Sequence, residues 1–176
     1  MSEAPLPSSE FTRSIDVRQV EGLTPHLEAN AEERTALAKR FGLVRIDSLT
    51  ADLDLSRSDR TVFAKGTIRA AWVQSCAVSA DDLPVSVEEA IDLRFVPEST
   101  DHKPDEEIEL EADDLDEIEY SGSHIDLGEA VAQSMALAID PYLTGPNAEA
   151  ARQEAGLSNP EDLGPFAALK NLKPKD

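Results

Sequence analysis

The stretch that decides the fold runs over residues 62–95 and reads VFAKGTIRAAWVQSCAVSADDLPVSVEEAIDLRF. One series of apolar and small residues keeps a single parity from Val62 to Cys76, broken only by Gln74, and a second series does so from Val85 to Phe95. Alternation with a period of two is typical of strands that bury one face. The polar SADDLP segment between the two series predicts a turn. The stretch therefore predicts a long antiparallel hairpin.

The chain before this hairpin adds further strand signals. Val44 and Ile46 alternate, and residues 49–55 continue the alternation in the opposite phase. A bulge or bend near Asp47–Ser48 would reconcile the two phases, and the SRSDR segment predicts a turn into the hairpin. Alternation over residues 11–17 predicts one more strand. Three successive antiparallel strands form a meander, which buries one face and needs a cover.

Two helices with clear N-terminal signals are candidates for that cover. Asn30 and Glu33 form a capping-box pattern that predicts a helix from residue 31, with Gly42 as its C-terminal stop. Asp126 as N-cap, with Glu129 three positions later, predicts a second helix that Pro141 ends. The SGSH segment before Asp126 predicts a turn.

These elements predict an α+β fold. The antiparallel meander, curled or barrel-like in one alternative, is covered by helices at 31–41 and 126–139. We expect a disordered N-terminus over residues 1–9, a single α+β domain over 10–146, and a linker with a short C-terminal helical tail over 147–176.

An acidic run connects the hairpin to the second helix. Twelve of the residues from Glu98 to Glu119 are Asp or Glu, opposed only by Lys103, on a chain of net charge −20. A polyanion-binding protein normally concentrates lysine and arginine, so this charge disfavours simple DNA or RNA binding. The run predicts a flexible, solvated loop, and a surface that attracts cationic proteins is the functional alternative.

Composition narrows the cellular setting. A single cysteine, Cys76, excludes an internal disulfide framework and a cysteine-rich zinc site. Neither an N-terminal apolar segment nor an apolar run of membrane-spanning length is present. We therefore expect a soluble cytoplasmic protein that does not bind membranes.

No residue set predicts catalysis or a cofactor. The three histidines lie in no recognisable catalytic motif, and the parity of Cys76 predicts a buried, inert thiol. Four clustered carboxylates offer oxygen ligands to Ca²⁺ or Mg²⁺ but lack the ligand spacing of an EF-hand loop. They are Asp113, Asp114, Asp116 and Glu117. We predict no catalytic residue, no metal and no cofactor.

The C-terminal segment PFAALKNLK, residues 165–173, departs from the acidic character of the chain. Phe166, Leu169 and Leu172 fall on roughly one face of a predicted helix that also carries lysines. Such a helix either binds a groove on a partner or docks on its own domain.

Three segments, taken in order, resemble the YceD family of large ribosomal RNA subunit accumulation proteins. They are VQSCAVSADDLPVSVEEAIDLRF at 73–95, HIDLGEAVAQSMALAIDPYLTGP at 124–146 and PFAALKNLK at 165–173. The resemblance implies a non-enzymatic bacterial factor that supports 23S ribosomal RNA accumulation and large-subunit biogenesis. Many members carry Cys-x-x-Cys in the hairpin, whereas here Cys76 is followed by Ser79, so a zinc or redox role is not expected.

Three functions follow from these observations. The leading hypothesis is binding of a ribosomal protein or ribosome assembly factor, with ribosomal RNA reached indirectly and no role for DNA. Candidate partner-binding residues are Asp113, Asp114, Asp116, Glu117, Asp126, Phe166, Leu169 and Leu172. The alternative is direct ribosomal RNA binding through a basic patch that includes Arg13, Arg69, Arg94 or the lysine tail. A metal-dependent nuclease using Asp113 and Asp116 is the third hypothesis.

Overall fold

A computed structural model of the protein describes residues 9–98 and 117–156. Its strands and helices, in chain order, are β1 (Ser14–Asp16), β2 (His26–Glu28), α1 (Ala31–Phe41), β3 (Arg45–Ser58), β4 (Thr61–Ser75), β5 (Asp82–Pro97), β6 (Glu117–Tyr120), β7 (His124–Asp126), α2 (Leu127–Leu137) and α3 (Ala148–Glu154). No helix in the described part of the chain is both long and apolar enough to cross a membrane.

The predicted meander forms the centre of a five-stranded sheet. Its strand order is β2-β3-β4-β5-β6, with antiparallel neighbours except for the parallel pair β5–β6. The barrel-like alternative is wrong, because the sheet is not closed within the described residues. The strands at its two ends are short, and β6 pairs with β5 only over Arg94–Pro97. A closed barrel would require the two end strands, β2 and β6, to pair with each other. Both strands are too short to bring the two ends of the sheet together.

The predicted bulge is present in β3. The register between β3 and β4 shifts between Ile46 and Ser48. Because one extra residue reverses the facing of every residue after it, Ile46 and Leu49 both reach the core. The bulge thus lets one strand bury two segments of opposite phase.

The connection between β3 and β4 is tighter than predicted. Strand pairing continues to Ser58 and Thr61, so only Asp59 and Arg60 form the turn. Asp59 has a φ of 55°, in the left-handed region that two-residue hairpin turns use. Aspartate tolerates this conformation better than most residues. The turn can therefore be as short as two residues, and the other residues of the polar segment belong to the strands.

Both predicted helices cover the same face of the sheet. The capping box at Asn30 and the left-handed Gly42 bound α1, as predicted, and Leu37 of α1 packs in the core with no exposed surface. On α2, Val131 and Met135 are equally buried. Full burial of one such side chain stabilises the fold by about 2 kcal/mol. Helix α2 ends at Leu137 rather than at residue 139.

The sequence did not predict a second, two-stranded sheet. The strand expected over residues 11–17 is limited to β1, which pairs with β7 in antiparallel register. His124 belongs to β7, so the turn predicted over residues 121–124 ends before it. Because β7 directly precedes α2, its pairing with β1 holds the N-terminal segment beside the start of that helix. The acidic run from residue 99 to 116 and the tail from residue 157 lie outside the described residues.

Gly66 lies in β4 where β3 comes very close. A Cβ atom at this position would stand 2.0 Å from the Asp52 carbonyl oxygen, which belongs to the backbone of β3. Two paired backbones cannot separate without loss of ladder hydrogen bonds, so only glycine fits. The sequence signal was an isolated glycine within a strand.

We predict that Gly66→Ala destabilises the protein by more than about 3 kcal/mol, because backbone must move to admit the methyl group. Gly145→Ala is the matched control, since the nearest atoms to its Cβ belong to the Leu83 side chain, with Cδ2 at 2.6 Å, and a side-chain rotation can move them. Urea unfolding of both variants measures the difference. Equal losses of unfolding free energy would contradict the backbone argument.

Candidate protein-binding surface

One side of the five-stranded sheet is left uncovered by α1 and α2, and we call it the outer face. Residues directly opposite in register point to the same side of a sheet, which identifies its members. They are exposed or half-buried. The outer face comprises Thr50, Asp52, Asp54, Lys65, Thr67, Arg69, Glu88, Ala90, Asp92, Arg94 and Glu117.

A chain of charged contacts crosses the outer face from β2 to β5. Arg69 Nη1 donates to Asp52 Oδ2 at 2.8 Å, and Arg69 Nη2 lies 3.3 Å from Glu88 Oε1. His26 Nδ1 lies 2.6 Å from Asp52 Oδ1. A hydrogen bond from His26, and to a smaller extent one from Arg69, lowers the pKa of the Asp52 carboxyl. Asp52 therefore stays ionised at neutral pH.

The other two cations of the outer face are paired as well. Lys65 Nζ donates to Asp92 Oδ2 at 2.7 Å, and Arg94 Nη2 lies 2.7 Å from Glu117 Oε1. Exposed pairs of this kind add little stability, but they neutralise the cations locally. Since Asp54 has no cation within ion-pair distance among the described residues, the outer face retains a surplus of negative charge.

The arginines predicted to form a basic patch do not present unneutralised charge. Arg69 and Arg94 share the outer face, as expected from their parity, but each contacts a carboxylate. Arg13 lies elsewhere, with its two terminal nitrogens 2.7 and 3.0 Å from the Glu33 carboxylate and its guanidinium over the Phe11 ring. This arrangement gives no support to RNA binding by these three arginines.

Glu117 is the one member of the predicted carboxylate cluster that the structure describes. It begins β6 and pairs with Arg94, so it places the end of the acidic run beside the outer face. Asp113, Asp114 and Asp116 lie outside the described residues. Within residues 9–98 and 117–156, no group of three or more His, Cys, Asp or Glu side chains is placed to hold a metal ion.

Asp126, also predicted to bind a partner, caps α2. Its Oδ1 accepts backbone N–H groups from Arg13 at 2.8 Å, Gly128 at 3.0 Å and Glu129 at 3.2 Å. The carboxylate therefore joins the N-terminal segment to the helix. The other predicted partner-binding residues, Phe166, Leu169 and Leu172, lie outside the described residues.

The turn after β4 is anchored to the chain that follows α2. Trp72 Nε1 donates to Gln74 Oε1 at 2.9 Å, and Gln74 Nε2 donates to the Asp140 carbonyl at 2.7 Å. Nearby, the backbone N–H of Ala77 donates to the Leu143 carbonyl at 2.9 Å. Gln74 is the one buried polar side chain in the described core, and its break in strand parity was the available sequence signal.

Cys76 lies at the same junction. Its sulfur accepts backbone N–H groups from Val78 at 3.5 Å, Ser79 at 3.3 Å and Gly145 at 3.3 Å. Hydrogen bonding by the Ser79 side chain, then by these N–H groups, lowers the pKa of the Cys76 thiol to about 6. The sequence predicted the burial of this thiol, which the structure confirms, but not its lowered pKa.

Comparison with known proteins gives one match. The family model described as "Large ribosomal RNA subunit accumulation protein YceD" matches residues 64–173, which is more than half of the chain. The matched region begins in β4 and includes the turn anchored by Gln74, the outer-face strand β5, and both α2 and α3. No curated protein and no solved structure matches the chain.

We predict that Gln74→Leu lowers the unfolding free energy by about 1–3 kcal/mol, because it leaves the Trp72 N–H and the Asp140 carbonyl without their partner. The emission of Trp72, the single tryptophan, reports the change directly. Gln133→Leu is the matched control, as Gln133 is exposed and its side chain bonds only Glu129 among the described residues. A loss no larger than that of the control would show that the buried amide does not anchor the turn.

The lowered thiol pKa predicts a pH dependence of stability. The folded pKa is about 6, against an ordinary value of 9.0, so the thiolate favours the folded state. Its contribution is complete above pH 9, decreases as pH falls, and is absent below about pH 6. Wild-type protein should therefore gain stability over Cys76→Ala between pH 5.5 and pH 8.5 in urea unfolding. An unchanged difference between the two proteins would exclude a stabilising thiolate.

Proposed function

Because the chain belongs to the YceD family of large ribosomal RNA subunit accumulation proteins, we propose that it supports accumulation of this RNA by binding a basic protein. The partner is a ribosomal protein or a ribosome assembly factor, and ribosomal RNA is reached through it. The proposed role is non-enzymatic, since no nucleophile, base and acid share a recognisable motif in the sequence.

The observation that carries this proposal is the charge of the outer face. Its lysine and arginines are all paired with carboxylates, and among the described residues a surplus of unpaired carboxylate charge remains. A surface of this kind attracts cationic proteins, raises their rate of encounter and repels phosphate backbones. The net charge of −20 adds to both effects.

The acidic run extends the same surface in sequence. Its last residues belong to β6, where Glu117 contacts Arg94 on the outer face. A cationic partner bound on the outer face would therefore lie beside the point where the run joins the sheet. Carboxylates of the run and of the sheet then act on one partner, which supports Asp113, Asp114 and Asp116 as further contacts.

The proposal predicts salt-sensitive capture of basic large-subunit ribosomal proteins from nuclease-treated lysate. Neutralising Asp54, Glu88 and Asp92 as Asn, Gln and Asn should reduce capture by at least about fivefold, because each removes negative charge from the outer face. The matched control neutralises three exposed helix carboxylates, Glu32→Gln, Glu149→Gln and Glu154→Gln, with the same change in net charge. Quantitative mass spectrometry of the captured proteins measures the difference.

Equal loss in the two triple variants would mean that total charge, not the outer face, attracts the partner. Binding of naked ribosomal RNA that is lost in the Asp54, Glu88 and Asp92 triple variant would overturn the proposal, because the outer face would then be an RNA surface. The triple variant Asp113→Asn, Asp114→Asn and Asp116→Asn separates the acidic run from the sheet. Loss of capture by this variant, with an unchanged unfolding midpoint, would show that the acidic run contacts the partner.

A further inference from the structure

A groove between α1 and the beginning of β3 differs in charge from the rest of the protein. It has a volume of about 420 Å³, within the range of about 300–1,000 Å³ that ligand-binding clefts occupy. No Asp or Glu among the described residues lines it. Its lining is Ala31, Arg34, Thr35, Ala38, Lys39, Leu43, Val44, Arg45 and Ile46.

The shape of the groove follows from the way α1 ends. The left-handed Gly42 reverses the chain, and the backbone N–H of Leu43 then bonds to the Ala38 carbonyl. The strand that follows therefore runs back beside the helix. Ala38 and Ile46 are buried at the floor of the groove, and Val44 is 45% exposed at its side.

Two of the three cations in the groove have no carboxylate partner among the described residues. Arg34 Nη1 donates to the Ala29 carbonyl at 2.6 Å, which fixes the guanidinium and leaves its positive charge uncompensated. Lys39 forms no ion pair within the described part of the chain, and Arg45 Nε contacts Asp47 at 2.8 Å. The groove is therefore a local site of positive charge, in contrast to the outer face.

We propose that this groove binds the phosphate backbone of single-stranded RNA. An arginine guanidinium offers a planar set of donors to phosphate oxygens, and a lysine ammonium adds a mobile point charge. The exposed Val44 provides an apolar surface for a ribose or a base beside the phosphate. The family description names ribosomal RNA, which makes RNA the phosphate polymer that we propose for the groove.

The negative charge of the whole chain does not prevent such contact. At physiological ionic strength the Debye length is about 8 Å, so carboxylates farther away act weakly on a phosphate in the groove. Glu32 and Asp47, close in sequence, do not line the groove, and Asp47 is paired with Arg45. Short-range contacts in the groove therefore determine binding, and affinity for naked RNA is modest.

The groove lies outside the region that matches the family model, which begins at residue 64. It is also separate from the outer face, because α1 covers the opposite side of the sheet. RNA binding here goes beyond the proposed protein partner, and it does not depend on that partner. A chain with both surfaces would hold a cationic protein and RNA at the same time.

The test is fluorescence anisotropy of a labelled oligouridylate and a labelled large-subunit RNA fragment, over a salt series. Arg34→Gln with Lys39→Gln should weaken binding at least about tenfold and reduce the magnitude of the salt slope by about 1.4, since each phosphate contact contributes about 0.7. Arg57→Gln with Arg60→Gln is the matched control. Arg57 Nη1 donates to the Val17 carbonyl as Arg34 does to that of Ala29, and the charge change is equal. The control should lose less than about twofold.

Absence of binding by the wild-type chain, or equal loss in the two double variants, would overturn the proposal. Equal competition by polyglutamate would also overturn it, because the groove would then bind acidic peptides as well as RNA. Arg34→Lys keeps the charge but not the planar donor set, so it should lose less affinity than Arg34→Gln, an order that misfolding would not produce. Capture of basic proteins from nuclease-treated lysate should be unchanged in Arg34→Gln with Lys39→Gln. The two proposals are therefore tested separately, because loss of RNA binding does not alter capture of the protein partner.

Discussion

The anchoring of the β4–β5 turn to the chain after α2 is the interaction on which the rest of the structure depends. The Gln74 amide bridges the indole N–H of Trp72 and the Asp140 carbonyl in a buried site, where unmade hydrogen bonds are costly. At the other end of α2, Asp126 binds the N-terminal segment. Held at both ends, α2 stays over the inner side of the sheet. Because both α1 and α2 lie on that side, neither helix covers the outer face.

This division of the sheet also separates charges of opposite sign. On the outer face, cations from one strand meet carboxylates from its neighbours, because cross-strand pairs lie within reach of long side chains. In the groove beside α1, the helix presents Arg34 and Lys39 toward the start of a strand, and no carboxylate of the described residues lines the groove. A strongly acidic chain thus combines a surface suited to cationic proteins with a small cationic site.

Local features of the fold were predictable, and contacts between distant segments were not. Asn30 with Glu33 and Asp126 with Glu129 identified both helix starts, because capping depends on residues three apart. The phase change between Ile46 and Leu49 identified the bulge. By contrast, the parallel pairing of β6, the pairing of β7 with β1 and the limit of the sheet depend on partners far along the chain. Of the predicted site residues, the structure describes Glu117 and Asp126 and shows what each contacts.

The sequence by itself determined the meander, its covering helices, the surplus of negative charge and the resemblance to one family, since periodicity, capping and charge are properties of neighbouring residues. Only the tertiary structure decided which cations are neutralised. Arg69 and Arg94 share a parity-defined face with Lys65, yet their partners Asp52 and Glu117 come from other strands. Arg34 and Lys39 gain their importance from what the fold places beside them. Ion pairing and its absence are set by distances between chain segments, which no local pattern contains.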